Sequence, residues 1–218
     1  MSRVDRILKT AATIAPLLGP IGNAEAQQGW NATVAVSDQY SEPAMKTFGF
    51  AEPPQAFRDF CMRAAAECIK QDQSQREQMK RREGSEFDML ELSEVNTHVH
   101  DTVKQVSDLE QHGVEDRWDV AGIAGDCEDH ALLKRQMLIN KGWQHKDLLI
   151  TILFLKNNEG HAVLTVRTEK GDFILDNLRR EIVPWGETVK RFGYRYVMRQ
   201  GYIDPQQWMA LDPRYTRK

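Results

Sequence analysis

Residues 122–143 read GIAGDCEDHALLKRQMLINKGW, and the group in them best suited to chemistry is the thiol of Cys127. It follows a glycine and an aspartate, and what comes after it has the makeup of a helix. A helix start presents unpaired backbone N–H groups and the positive end of the dipole. That field favours an anion and draws a thiol toward thiolate at neutral pH. A nucleophilic thiol needs a base, and the base needs an orienting group. His161 opens the strand-like run HAVLTVRT, and Asp176 ends the next such run, FILDN. Two adjacent antiparallel strands can bring those ends together. In such a triad His161 takes the thiol proton and Asp176 holds the imidazole through its other nitrogen. Spacing alone leaves His161 open between catalytic base and strand-edge structural residue. It also leaves His130, three residues after Cys127, as a second imidazole within reach of the thiol.

The acids Asp126, Glu128 and Asp129 surround the thiol, and two readings stand. In one they are first-turn acids complementing the dipole, with Asp126 as the N-cap. In the other they hold calcium, for which carboxylates and carbonyls are the right hard ligands. Three bare carboxylates would raise the pKa of the thiol, and a bound cation would remove that conflict. Calcium takes 6–8 oxygens, so the loop 113–121, with Glu115, Asp116 and Asp119, is the expected source of the remainder. A zinc site has no C-x-x-C pair to support it.

The elements that must position these groups follow from length and pattern. The chain has 218 residues, 41% hydrophobic and 28% charged, with a formal net charge of −3. That composition is globular, and it carries no basic field for nucleic acid. No apolar run approaches the roughly 20 residues of a membrane span. A basic opening, an apolar middle and an A-x-A ending over residues 1–26 have the order of a secretory signal, with the mature chain beginning at Gln27, and the alternative is a disordered or amphipathic N-terminus. Residues 27–218 then form a single domain. Residues 27–52 read as an extended lead-in with short strands, and 53–113 as helices, the last running over 90–112 to a stop at Gly113. The polar stretch 71–87 reads as an exposed helix end and loop. After the 127–141 helix, DLLITILFLK, HAVLTVRT, FILDN and YRYVMRQ form an antiparallel meander, which makes an α+β domain with the thiol-bearing helix packed on a sheet. Cys61 and Cys68 are too far apart for a disulfide along an unbroken helix, so a bridge requires the helix to end or bend before Cys68. The alternative is two reduced cysteines on a core-facing stripe. In either case Cys127 is the odd thiol. Trp118 reads as a core aromatic.

GDCEDHALLKRQMLINKGW, HAVLTV and FILDN, in this order, resemble the bacterial transglutaminase-like cysteine proteinase family. EVNTHV, EDRWDV and AFRDFCMRAAAEC resemble its Asn-containing helix, its Asp-x-Trp segment and its early two-cysteine segment, so the likeness spans about 53–200. It implies a papain-like or transglutaminase-like core with Cys127 as nucleophile, His161 as base and Asp176 as orienting acid. It also implies a cysteine peptidase in the periplasm that hydrolyses a cell-envelope protein, a surface adhesin in the best-described members, with an inner-membrane receptor and with calcium at the positions of Asp126, Glu128 and Asp129. It makes Trp118 a candidate wall of the cleft, and the backbone N–H of Cys127 is expected in the oxyanion hole. The sequence departs from the family at His130, where tyrosine is common. A catalytically idle binding module and an acyl-transferring enzyme are the alternative functions.

Overall fold

The computed structural model describes residues 42–69 and 82–216. The proposed signal segment 1–26 lies outside them, as does most of the polar stretch 71–87. Strand β1 (Thr47–Ala51) leads into helix α1 (Gln55–Arg63), which starts after two prolines. A 3-10 turn, Ala65–Cys68, follows the break at Ala64. The helix therefore ends before Cys68, and Cys61 and Cys68 form a disulfide with Cα atoms 5.6 Å apart.

Helix α2 (Glu86–Thr102) begins at a capping box in which Asp88 receives the Ser85 backbone N–H and the Ser85 hydroxyl receives that of Asp88. Its inward stripe is Leu92, Val95, Asn96 and Val99. The sequence expectation of one helix running to Gly113 is corrected here. Val103 takes extended torsions, β2 (Lys104–Gln105) leaves the helix path, and only then does a short α3 (Asp108–His112) form and stop at the left-handed Gly113. The reason is tertiary. β2 pairs in parallel with β3 (Ala124–Gly125), the two residues ahead of Asp126. Helical spacing of Val103 and Val106 is no match for that ladder.

Helix α4 (Cys127–Asn140) carries the thiol at its first residue. Beyond it lie β4 (Leu148–Phe154), β5 (Gly160–Thr168), β6 (Gly171–Leu175), β7 (Val183–Pro184), α5 (Trp185–Phe192), β8 (Arg195–Gln200) and β9 (Trp208–Leu211). One seven-stranded sheet has the order β1-β9-β8-β4-β5-β6-β7, with every pairing antiparallel. The meander holds for β4 to β6 alone. YRYVMRQ does not continue it past β6, because β7 takes that edge and β8 crosses back to pair with β4.

Alternation along β4 and β5 sends side chains to two cores. Ile150, Ile152, Leu164 and Val166 join Phe57, Leu92, Leu132 and Leu138 beneath the helices. Leu153 and Val163 join Trp185, Tyr194, Tyr196 and Tyr215 on the opposite face. Each fully buried large side chain of this kind contributes about 1.5–3 kcal/mol. Trp118 belongs to the first core, edge-on to Phe57 and Trp208. No described helix is long and apolar enough to cross a membrane.

Candidate active site

The loop that delivers Cys127 is fixed from both sides. The N–H groups of Lys104 and Val106 donate to the carbonyls of Ile123 and Gly125 at 2.9 and 3.0 Å. The Asp129 carboxylate accepts the Asp119 N–H at 2.7 Å, which ties the preceding loop to the first turn of α4. Gly125 is required there because a Cβ on it would stand 2.7 Å from the Asp129 Cβ.

His161 and Asp176 meet as expected, with Nε2 of the imidazole 2.9 Å from Oδ1 of the carboxylate and both side chains buried. The near ends of paired β5 and β6 bring them together. The Leu178 N–H also donates to Oδ1, at 3.0 Å, and the Tyr194 hydroxyl donates to Oδ2 at 2.5 Å. Burial opposes ionisation of Asp176, but the His161, Tyr194 and Leu178 donors outweigh it and hold the carboxyl at about 2. Asn96 of α2 fixes the segment after β6 through bonds to the carbonyls of Arg179 and Arg180 at 2.8 and 3.0 Å.

Cys127 lies near enough to the backbone N–H of Ala162, the residue after His161, for that group to favour its thiolate. Its proton, however, is directed to Glu128, with Sγ 3.0 Å from Oε2. Loss of solvent and the charges of Glu128 and Asp126 push the thiol well above its ordinary value. The helix-start field expected to favour thiolate is therefore outweighed by burial and the neighbouring carboxylates. His130 is buried on the same helix, and burial followed by the charge of Lys134 lowers its imidazole to about 4. Neither of its ring nitrogens has a hydrogen-bond partner among the described residues, and it makes no bond to the thiol.

Asp126 occupies the N-cap position, yet its side chain makes no cap bond and its Oδ1 is buried without a partner among the described residues. Carboxylate oxygens of Asp108, Asp126 and Glu128 lie within 4.8 Å of one another. Burial, then mutual repulsion, raises Asp126 to about 6 and Glu128 well above the carboxylate range. Asp116 adds its charge to both. A buried, repelling set of hard oxygens with one orphaned acceptor fits a divalent cation. Asp129 stands outside this trio and serves the loop instead. Asp108 was missed in the sequence because the unbroken-helix reading hid its place at the start of a separate short helix. Tyr194 was missed because YRYVMRQ reads as a strand, in which a tyrosine needs no further explanation.

A cysteine at the start of a helix packed on an antiparallel sheet, with an imidazole–carboxylate pair on that sheet, defines the transglutaminase-like class of cysteine peptidases. Within this class the chain belongs to the family described as bacterial transglutaminase-like cysteine proteinase BTLCP, whose profile it matches over residues 47–216. Among solved structures it is similar to Legionella pneumophila LapG. The calcium-bound form is 25% identical, with 54% of this chain and 66% of that one covered and a TM-score of 0.43. The EGTA-treated form is also 25% identical, with 59% and 69% covered and a TM-score of 0.46. A third LapG structure is 23% identical, with 59% and 71% covered and a TM-score of 0.46. The chain thus spans about two thirds of the length of these relatives. No curated protein matches it.

Proposed function

We propose that this chain is an exported cysteine endopeptidase that hydrolyses a peptide bond in a cell-envelope protein, such as a surface adhesin, through Cys127, His161 and Asp176. The observation that carries the reading is the buried His161–Asp176 pair, 2.9 Å apart, next to Ala162, whose backbone N–H favours the Cys127 thiolate. Nε2 of His161 is committed to Asp176, which leaves Nδ1 to take the thiol proton. The thiolate attacks the scissile carbonyl, and its negative oxygen is received by the N–H of Cys127 at the open helix end. His161 then gives its proton to the leaving amine, and water, activated by the same imidazole, releases the acyl group from sulfur.

Calcium, held by Asp108, Asp126 and Glu128, would neutralise the carboxylates that now keep the thiol protonated. Glu128 links the two sites, since its carboxylate can receive the thiol proton or serve the cation. The Legionella protein's calcium-bound form is in keeping with such a ligand here. Export to the periplasm rests on the 1–26 signal pattern, and the disulfide suits an oxidising compartment. An inner-membrane receptor is the partner that the family resemblance implies.

The test compares the envelope proteins of cells carrying the wild-type chain with those carrying Cys127→Ala. A protein that is longer in the variant is the expected substrate. An unchanged length distribution, with wild-type chain present in the periplasm, would remove the endopeptidase reading.

A further inference from the structure

We propose that Tyr194 is a positioning residue for the His161–Asp176 pair, holding the carboxylate through its hydroxyl and the imidazole through its ring. The inference deepens the catalytic reading above and rests on it. Tyr194 touches both members of the pair. Its hydroxyl donates to Asp176 Oδ2 at 2.5 Å, and its ring meets that of His161 edge-on, with centroids 6.3 Å apart at 68°. Tyr194 and Asp176 are each 2% exposed, so water does not replace either contact.

The consequence for the imidazole follows from counting acceptors. Oδ1 of Asp176 is taken by His161 and the Leu178 N–H, and Oδ2 by Tyr194. With both oxygens engaged, the carboxylate cannot rotate about its Cβ–Cγ bond without leaving a buried acceptor bare. A carboxylate that is fixed and ionised keeps the imidazole proton on Nε2. It thereby keeps the Nδ1 lone pair available for the thiol proton. The ring contact limits rotation of the imidazole as well.

Local structure explains how the tyrosine arrives there. Helix α5 ends at Gly193, whose left-handed torsions (φ 71°, ψ 31°) turn the chain so that the next side chain enters the sheet's second face. Two charged groups complete the surroundings. The buried Lys134 of α4 feels the charge of Asp176, and Arg179 lies by the Tyr194 hydroxyl. A purely structural tyrosine would share the apolar packing with Trp185, Tyr196 and Leu153 but would need no bond to the catalytic carboxylate.

Phenylalanine keeps that packing and removes only the hydroxyl, so Tyr194→Phe separates the two roles. The readout is the rate at which iodoacetamide alkylates Cys127, the free thiol of the described chain, at one pH with calcium present. It is measured in wild type, Tyr194→Phe, Asp176→Asn and the double variant. Tyr194→Phe is expected to slow alkylation about tenfold, the scale of one hydrogen bond to a charged group, with little change in melting temperature. In the Asp176→Asn background it should slow it no further, because the hydroxyl acts through that carboxylate.

A second measurement is independent of any variant's folding. In wild type, the His161 Nε2–H and the Tyr194 hydroxyl proton should both give slowly exchanging, downfield proton resonances. Unchanged alkylation in Tyr194→Phe, an equal loss in both backgrounds, or a freely exchanging Tyr194 hydroxyl would each overturn the proposal. If Asp176→Asn and His161→Ala themselves alkylate at the wild-type rate, the triad reading fails first and takes this inference with it. A loss in those two variants with none in Tyr194→Phe defeats the inference alone.

Discussion

At the scale of single residues, the site is a contest between carboxylates for two protons. Glu128 holds the thiol proton of Cys127, and Asp176 holds the Nε2 proton of His161. In the proposed mechanism the second arrangement favours catalysis and the first opposes it. Asp176→Asn should reduce peptidase activity less than removal of Cys127 or His161, because the imidazole survives with its orientation weakened. The same residue leaves a mark on stability. Its carboxyl ionises near 2 in the fold, below its ordinary value of 3.8. The stabilisation is therefore complete above about pH 4 and is lost as pH falls through 2, amounting to about 2 kcal/mol. Urea unfolding between pH 4 and pH 2 should show that loss in wild type and not in Asp176→Asn. Equal pH slopes in the two proteins would contradict the assignment.

At the scale of elements, the start of α4 is held by contacts that tolerate little change. Gly125→Ala would place a methyl 2.7 and 2.8 Å from the Asp129 Cβ and Oδ2 and 3.2 Å from the Ala121 Cβ. Such overpacking costs about 1–3 kcal/mol and pushes the thiol-bearing turn away from β5. The variant should melt lower and alkylate Cys127 at an altered rate, and a wild-type melting curve would count against this picture of the loop. Further along, α4 is tied to the disulfide segment. Arg135 is buried, and its guanidinium donates to the carbonyls of Glu67 and Leu148 at 3.1 and 3.2 Å. Glu67 lies in the 3-10 turn closed by Cys61–Cys68. Opening so short a loop removes about 2–3 kcal/mol by the chain-entropy model. Cys61→Ser/Cys68→Ser should therefore shift the urea midpoint down while leaving the His161–Asp176 resonances in place.

At the scale of the whole molecule, the sheet brings distant parts of the chain to one place, and the proposed cation would join two of them. Asp108 belongs to α3, whereas Asp126 and Glu128 belong to the start of α4. A ligand that binds only the folded arrangement raises stability by mass action, by about 2.7 kcal/mol at a hundredfold excess over Kd. Calcium should accordingly raise the melting temperature, chelator should lower it reversibly, and Asp108→Ala should abolish the difference. A melting temperature indifferent to calcium in wild type would leave these acids without a cation.

The α+β class, the helix that begins at Cys127, the strands that bear His161 and Asp176, and the family were all legible in the sequence. Each depends on local signals: a strand period of two, a helix start after Gly-Asp, and motif residues close together along the chain. The rest came from tertiary contacts. Parallel pairing of β2 with β3 ended α2 early and so brought Asp108 to Asp126 and Glu128. The return of β8 to β4 placed Tyr194 under Asp176. Burial reversed the expected effect of the helix start on the thiol. The first two rest on pairings between residues far apart in the chain, which outweigh local propensity and leave no periodic trace in the sequence, and in the third burial adds to the flanking Asp126 and Glu128.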